Sequence, residues 1–395
     1  MVIAGETSGD ILAAELVAAL REIVPLAEGQ FTSETHPLSG TFAPEFFGAG
    51  GPAMARAGVR LEHDLTQHAV VGPADALRHY FYFRRIFQQL LAAAFRRQPD
   101  AIILVDFSGF NLRFARALRR RLARQCRTFN NWNPKLIYYV SPQVWASRPH
   151  RARVLAENID LLLSIFPFEK DWYAQRAPNL RVEFVGHPLL DRYQSPHRPK
   201  RSDDRPVVVL LPGSRVGELN RHMPVLQEAV RLIQAQTPAR FILVLPNETL
   251  ARRLEQQLPG NPPWELQIGS VAEALSAADV AIASTGTVTL ECAYFRVPAI
   301  AIYKTSWTTY QIGKRLIQVR WLAMPNIIAN ETIYPEFVQE NATAVNIANK
   351  ALDLLTNPPA RQAIQAKLNQ VIESLGKPGA ARRGAEAIAR LIRGY

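Results

Sequence analysis

Cysteine is almost absent from this chain. Only Cys126 and Cys292 occur, with no CxxC pair, which excludes a disulfide framework and fits a reducing, cytoplasmic compartment. No window holds about 18 unbroken apolar residues, so no transmembrane helix is expected. The start of the chain has no basic segment and carries Glu6 and Asp10 early, which argues against a secretory leader. No DxD sequence occurs and the histidines show no ligand spacing, so neither a metal nor a cofactor is expected. Acid is the scarcer charge: 34 Asp and Glu stand against 46 Lys and Arg, a net charge of +12. That surplus attracts polyanions, whether nucleic acid, anionic phospholipid or a phosphorylated substrate, and composition does not choose among them.

What is present reads as globular. The 395 residues are 48% hydrophobic and 20% charged, enough for two domains with a core each. Apolar β-type runs alternate with helical patterns: "FFGAGG" (46–51), "DAIILVDFSGFN" (100–111), "KLIYYVSPQVWA" (135–146) and "IDLLLSIFPFE" in the first half. After "YQSPHRPKRSDDRP" (193–206) the pattern restarts with "VVVLLPGSR", "RFILVLP", "DVAIASTGT" and "VPAIAIYK". Strands spaced by helices of this length predict parallel sheets covered on both faces. The reading is two doubly wound α/β domains facing across a cleft, over 1–195 and 206–372. A terminal helix within 373–395 is expected to pack back on the first domain. Segments 28–46 and 126–134 read as surface insertions. The first strand reads only Val2–Ala4, which predicts a weak sheet edge and a loosely anchored loop after it.

Ligands of such sheets sit beyond the carboxyl ends of the strands. The turn Gly5–Asp10 ("GETSGD") is either turn chemistry at a helix start or a loop that lets substrate approach bare backbone. Asp106 follows an apolar strand, where a charge needs a partner or a task. Its suitable task is general base toward a sugar hydroxyl, with Asn111 the better helix cap. In "LLPGSRVGE" the amides of Gly213 and Ser214 with the Arg215 guanidinium make an anion site suited to a diphosphate. "ASTGTVTLECAYF" repeats the design: Ser284, Gly286 and Thr287 for phosphate, with Glu291 one turn on for ribose hydroxyls. No GxGxxG follows either strand, so a dinucleotide is a poor fit. His187, before a proline, reads as structural.

"RHYFYFRRIFQQLLAAAFRR" (78–97) predicts a helix with Tyr80, Phe83, Phe87, Leu90 or Leu91 and Ala94 on its core face. Phe81, Tyr82 and Phe95 fall off that stripe among arginines that include Arg84 and Arg85. That composition suits a headgroup interface, ordinary packing, or nucleic acid without a recognised motif.

Taken together, the segments "AGETSGD", "GAGGPAM", "VDFSGFN", "YYVSPQVWA", "PFEK", "FVGHPLLD", "LLPGSR", "ASTGTVTLECA" and "MPNIIA" resemble the lipid-A-disaccharide synthase family over nearly the whole chain. Two departures are Ser147, where the family has an aromatic, and "VGPADA" (71–76). The resemblance implies a GT-B fold and an inverting, metal-independent transfer from UDP-2,3-diacylglucosamine to 2,3-diacylglucosamine 1-phosphate. It implies that Asp106 is the base and that Arg215, Glu291 and Asn326 contact the donor. Glu6, Ser8, Asp10, Ser141 and Gln143 become cleft or acceptor-side candidates. It further implies peripheral association with an anionic inner-membrane surface and no nucleic-acid partner, with a homodimer left open. The alternatives are another UDP-sugar enzyme of this fold, an epimerase or a peptidoglycan-precursor transferase, or a non-catalytic sugar-nucleotide or lipid-binding protein.

Overall fold

The computed structural model describes residues 1–24, 27–28, 41–42, 44–66, 73–125, 131–193, 204–257 and 262–393. Most of the segments 28–46, 126–134 and 193–206, together with Cys126, lie outside them. The chain divides into two units, Met1–Asp191 with Lys377–Tyr395, and Arg192–Gly376.

The strands of the first unit are β1 (Val2–Ala4), β2 (Ala27–Glu28), β3 (Thr41–Phe42), β4 (Phe47–Gly50), β5 (Arg60–Asp64), β6 (Ala101–Val105), β7 (Lys135–Tyr139), β8 (Leu161–Ser164) and β9 (Val182–Phe184). Seven form one parallel sheet in the order β5-β4-β1-β6-β7-β8-β9, and β2 pairs antiparallel with β3. The short first strand is therefore not an edge. Val2 stands opposite both Gly48 and Ile103, and Val2, Ile3 and Ala4 are fully buried. Three residues suffice because both neighbours complete their hydrogen bonds and helices cover both faces. On one face Ile3, Leu104, Leu136 and Leu162 join Ile86, Leu90 and Ala94 of helix Pro73–Arg97 and Phe114 and Leu118 of helix Ser108–Gln125 in one core.

Against the other face lies a helix from the far end of the sequence. Ala380–Arg393 packs on Thr7–Ile23, and its Gly384 is so close to Leu16 and Leu163 that a Cβ would stand 3.3 and 3.5 Å from them. Asp191 caps this helix by accepting the Gly379 and Ala380 amides, Arg383 donates to the Val185 carbonyl at 2.8 Å, and Arg390 pairs with Glu183 at 2.9 Å.

In the second unit β10 (Val207–Leu211), β11 (Arg240–Leu245), β12 (Glu265–Ile268), β13 (Val280–Ser284), β14 (Ala299–Tyr303) and β15 (Glu336–Val338) form a parallel sheet. Its order is β12-β11-β10-β13-β14-β15. Val207–Leu211 is buried throughout, as a central parallel strand should be. Its core joins Val208, Leu210, Leu243 and Ile282 to Leu219, Leu226 and Val230 of helix Val216–Gln234.

Candidate active site

In each sheet the strand order reverses direction once. In the first the reversal falls between β1 and β6, in the second between β10 and β13. Loops leaving such neighbours run to opposite faces and open a crevice at the carboxyl end. The segments at these two points are Gly5–Glu6 with the first turn of helix Thr7–Ile23 and Asp106–Phe107 in the first unit, and Pro212–Arg215 and Thr285–Gly286 with the start of helix Thr287–Tyr294 in the second.

Asp106 sits on an unusual backbone. Asp106 and Phe107 both have φ of +46°, a left-handed region that costs a bulky residue about 1–3 kcal/mol. The surroundings hold it there. The Asp106 amide donates to the Tyr139 carbonyl at 3.0 Å. Its carbonyl accepts from Asn111 Nδ2 at 2.9 Å and from the Tyr138 hydroxyl at 2.5 Å. Asn111 also reaches the Val105 carbonyl at 3.2 Å and is fully buried. It is therefore a clamp on the end of β6 rather than the expected helix cap. Phe107 turns its ring over Gly5, where a Cβ would fall 2.2 Å from ring carbons, so only glycine fits at the end of β1. The half-buried Asp106 carboxyl is held above the ordinary aspartate range, first by burial and then by the negative charge of Glu6. A hydrogen bond from the Phe107 backbone opposes this. A carboxylate with raised proton affinity is a better base.

Glu6 and Ser8 are exposed on the same loop, and Gly9 packs against Asp106. Asp10 is not available to a ligand, contrary to expectation. It is 1% exposed and accepts the amides of Gly51, Ala53 and Met54 at 2.8, 2.9 and 3.0 Å. It thereby satisfies the first turn of helix Pro52–Arg56, whose orphan amides and dipole favour an anion. Ser141 is likewise buried, with its hydroxyl 3.0 Å from that of Tyr173, whereas Gln143 two residues on is exposed. Beneath this loop lies a residue that sequence reasoning missed. Glu169 is fully buried, accepts from Trp145 Nε1 at 3.0 Å and the Phe166 amide at 3.2 Å, and burial pushes its carboxyl up to about 7. The only signal for it is its place in "PFEK". His187 is structural as read: Nδ1 accepts the Leu189 amide at 3.1 Å.

In the second unit Gly213 has φ +117°, and a Cβ there would collide with Glu218. The Glu218 carboxylate accepts the Ser214 and Arg215 amides at 3.0 and 3.3 Å. The predicted anion site is thus filled by the chain's own acid, while the Arg215 side chain is 80% exposed. His222, also missed, fixes the same loop. Its ring lies between the Pro212 carbonyl at 2.6 Å and the Lys304 amide at 2.9 Å, with burial favouring the neutral form. At the end of β13, Ser284 is buried, Gly286 has φ +122°, and Thr287 is exposed at the first position of helix Thr287–Tyr294. No side chain caps that helix. Glu291 retains 16% side-chain exposure and lies 3.9 Å from the Arg192 guanidinium. Burial raises its carboxyl and Arg192 offsets this only in part. Such a group gains from accepting hydroxyls.

Asn326 does not serve as a donor contact through its side chain. It is fully buried, its oxygen accepts the Ile333 and Tyr334 amides at 2.9 and 2.8 Å, and its nitrogen donates to Tyr334 O and Glu336 at 2.8 Å each. All four valences are spent on the turn before β15. On helix Pro73–Arg97, Phe81 is 58% exposed and Arg84 and Arg85 are exposed. Tyr82 and Phe95 instead pack on the core, the latter between Trp132 at 5.0 Å and Arg121 at 4.6 Å. Helical rotation alone had placed both outside. The side chain of Tyr80 lies outside the described residues. Among the described residues no helix is long and apolar enough to cross a membrane, and no group of three His, Cys, Asp or Glu is arranged to hold a metal ion.

Two doubly wound α/β units, each with one switch point, define the GT-B fold class. Solved structures agree on the fold. The chain is similar to a glycotransferase of kitacinnamycin (TM-score 0.61, 15% identity, 99% of this chain and 100% of that one) and to a UDP-N-acetylglucosamine 2-epimerase (TM-score 0.56, 13% identity, 100% and 96%). Within that class the family model for lipid-A-disaccharide synthetase matches residues 1–391, and the lipid-A-disaccharide synthase of Syntrophus aciditrophicus is 35% identical over all of this chain and 97% of that protein. The chain belongs to the lipid-A-disaccharide synthetase family.

Proposed function

We propose that the chain joins two acylated glucosamines, transferring 2,3-diacylglucosamine from UDP to the 6-hydroxyl of 2,3-diacylglucosamine 1-phosphate. The products are a β-1,6 disaccharide 1-phosphate and UDP. The observation that carries the reading is the chemistry at the two switch points: a carboxyl group of raised proton affinity at one and anion-type turns at the other. Asp106 takes the acceptor hydroxyl proton as that oxygen attacks C1 of the donor sugar. The C1–oxygen bond to UDP breaks on the opposite face, so configuration inverts. Negative charge gathers on the departing diphosphate, where Arg215 and the amides of Ser214 and Thr287 receive it. To open the Ser214 amide the diphosphate displaces Glu218. Glu291 accepts the ribose hydroxyls. Glu6, Ser8 and Gln143 are the side chains left available for the acceptor.

Membrane association through Phe81, Arg84 and Arg85 is part of this reading, since both substrates carry acyl chains. The decisive experiment mixes purified protein with both diacylglucosamine substrates in detergent and follows the disaccharide by mass. Product is expected at equal rates with and without a chelator. Strict dependence on a divalent cation would overturn the role given to Arg215.

A further inference from the structure

We propose that helix Trp307–Leu316 of the second unit, with Ile317 beyond it, is a docking surface for an anionic lipid bilayer. The helix is well specified locally. Ser306 caps it by accepting the Thr309 amide at 3.2 Å, and Lys314 and Arg315 fill its last turn, where the dipole favours cations. Yet none of its residues is buried. A helix of 10 residues is marginal in water on propensity alone and ordinarily draws its stability from an apolar face laid on the protein.

Here that face is turned outward. Tyr310, Gln311 and Gly313 are the half-buried side, whereas Ile312 is 61% and Leu316 43% exposed. These two stand one turn apart on a single face. Trp307 at one end is 70% exposed and Ile317 at the other 41%. Clustered exposed apolar side chains of this size mark a contact surface.

Charge selects the occupant. No Asp or Glu occurs between Glu291 and Glu331, while Lys314, Arg315 and Arg320 flank the apolar side chains. An isologous contact with a second copy would set this cationic patch against itself. A bilayer of anionic phospholipid offers phosphate for the cations, a headgroup layer for the indole, and acyl hydrocarbon for Ile312 and Leu316. The helix includes none of the residues given to the reaction and belongs to a different unit from Phe81.

The test uses full-length protein and vesicles of phosphatidylethanolamine with or without phosphatidylglycerol. Tryptophan emission should be quenched by bromolipid in the anionic vesicles, and Trp307→Phe should lose the quenchable component. Ile312→Ser with Leu316→Ser should weaken vesicle binding about tenfold or more, the scale of two apolar side chains withdrawn from the acyl boundary. Removing Lys314, Arg315 and Arg320 as Gln should cost about fivefold per cation at low salt. Because nothing in the helix is buried, thermal midpoints and product formation in detergent should not move, so folding failure and loss of the reaction are both distinguishable. Quenching unchanged in Trp307→Phe, or a double serine variant that binds vesicles normally but loses self-association on sizing with light scattering, would overturn the proposal. Loss of vesicle binding in Phe81→Ser with Trp307 quenching also absent in the wild type would do so too.

Discussion

At the end of β6 two consecutive residues stand in left-handed backbone, Asp106 and Phe107, held by Asn111, Tyr138 and a phenylalanine ring over Gly5. At the end of β10 a glycine supplies the turn without strain, the arginine after it points into solvent, and a nearby glutamate occupies the amides. The first loop is built to fix one carboxyl group. In the proposed reaction the second exchanges one anion, the Glu218 carboxylate, for another. The contrast matches what a base and a leaving-group site need: a proton acceptor gains from a fixed position, whereas a diphosphate must arrive and depart.

The comparison is broken most directly at Asp106. Asp106→Ala should bind UDP within about twofold of the wild type by calorimetry while turnover falls roughly 10²-fold or more, the scale of a lost general base. A collapse of UDP binding would show that the loops do not divide the work in this way.

Glu169 tests whether the floor under the first site is as costly as its burial implies. Its folded pKa of about 7 lies above the ordinary glutamate value, so the native state holds its proton more tightly than the unfolded chain. Its contribution is therefore present at low pH and is lost as pH rises from about 4.5 through about 7, worth about 3 kcal/mol in all. Glu169→Gln should accordingly gain stability relative to the wild type between pH 5 and 8, read by denaturant unfolding at each pH. A constant difference would place the ionised form in the native protein.

Asn111→Ala removes both donors that clamp the strained carbonyls. The expected result is a roughly tenfold lower kcat with KM nearly unchanged, together with a stability loss of about 1–3 kcal/mol for the buried acceptors left behind. A raised KM with normal kcat would mean that the clamp shapes acceptor binding instead. The smallest effect is expected at Glu218, where Gln keeps an acceptor for the amides but not the charge. UDP affinity should rise about threefold, and a fall would show that Glu218 aims Arg215 rather than competing with the diphosphate.

Much of this was legible in the residues. Parallel strands buried on both faces read as apolar runs, so both sheets and the loops at their ends could be located. Asp106 stood out because a charge directly after "AIILV" demands a reason. What could not be read is which of two like groups faces a ligand. Glu6 and Asp10 stand one turn apart at the start of one helix and share one chemistry, but only Asp10 meets the start of a second helix more than forty residues away. Asn326 looks like a polar contact until its amide is seen paired with Tyr334. The central place of β1 was equally hidden, because local patterns give strands but not their order. Helical rotation misplaced Phe95 because an arginine and a tryptophan from other segments cover ground that a single helix would leave bare, and it misplaced Tyr82, which packs edge-on against Phe83.

The return of the last helix to the first unit has a consequence for how the molecule is made. Thr7–Ile23 is translated before any of residues 192–376, yet its apolar partner Ala380–Arg393 is translated after all of them. That helix waits with one side uncovered while the whole of residues 192–376 is synthesised and able to fold. The first unit is begun before the second and completed after it, and a message cut before the codon for Ala380 would release a protein in which Thr7–Ile23 stays uncovered.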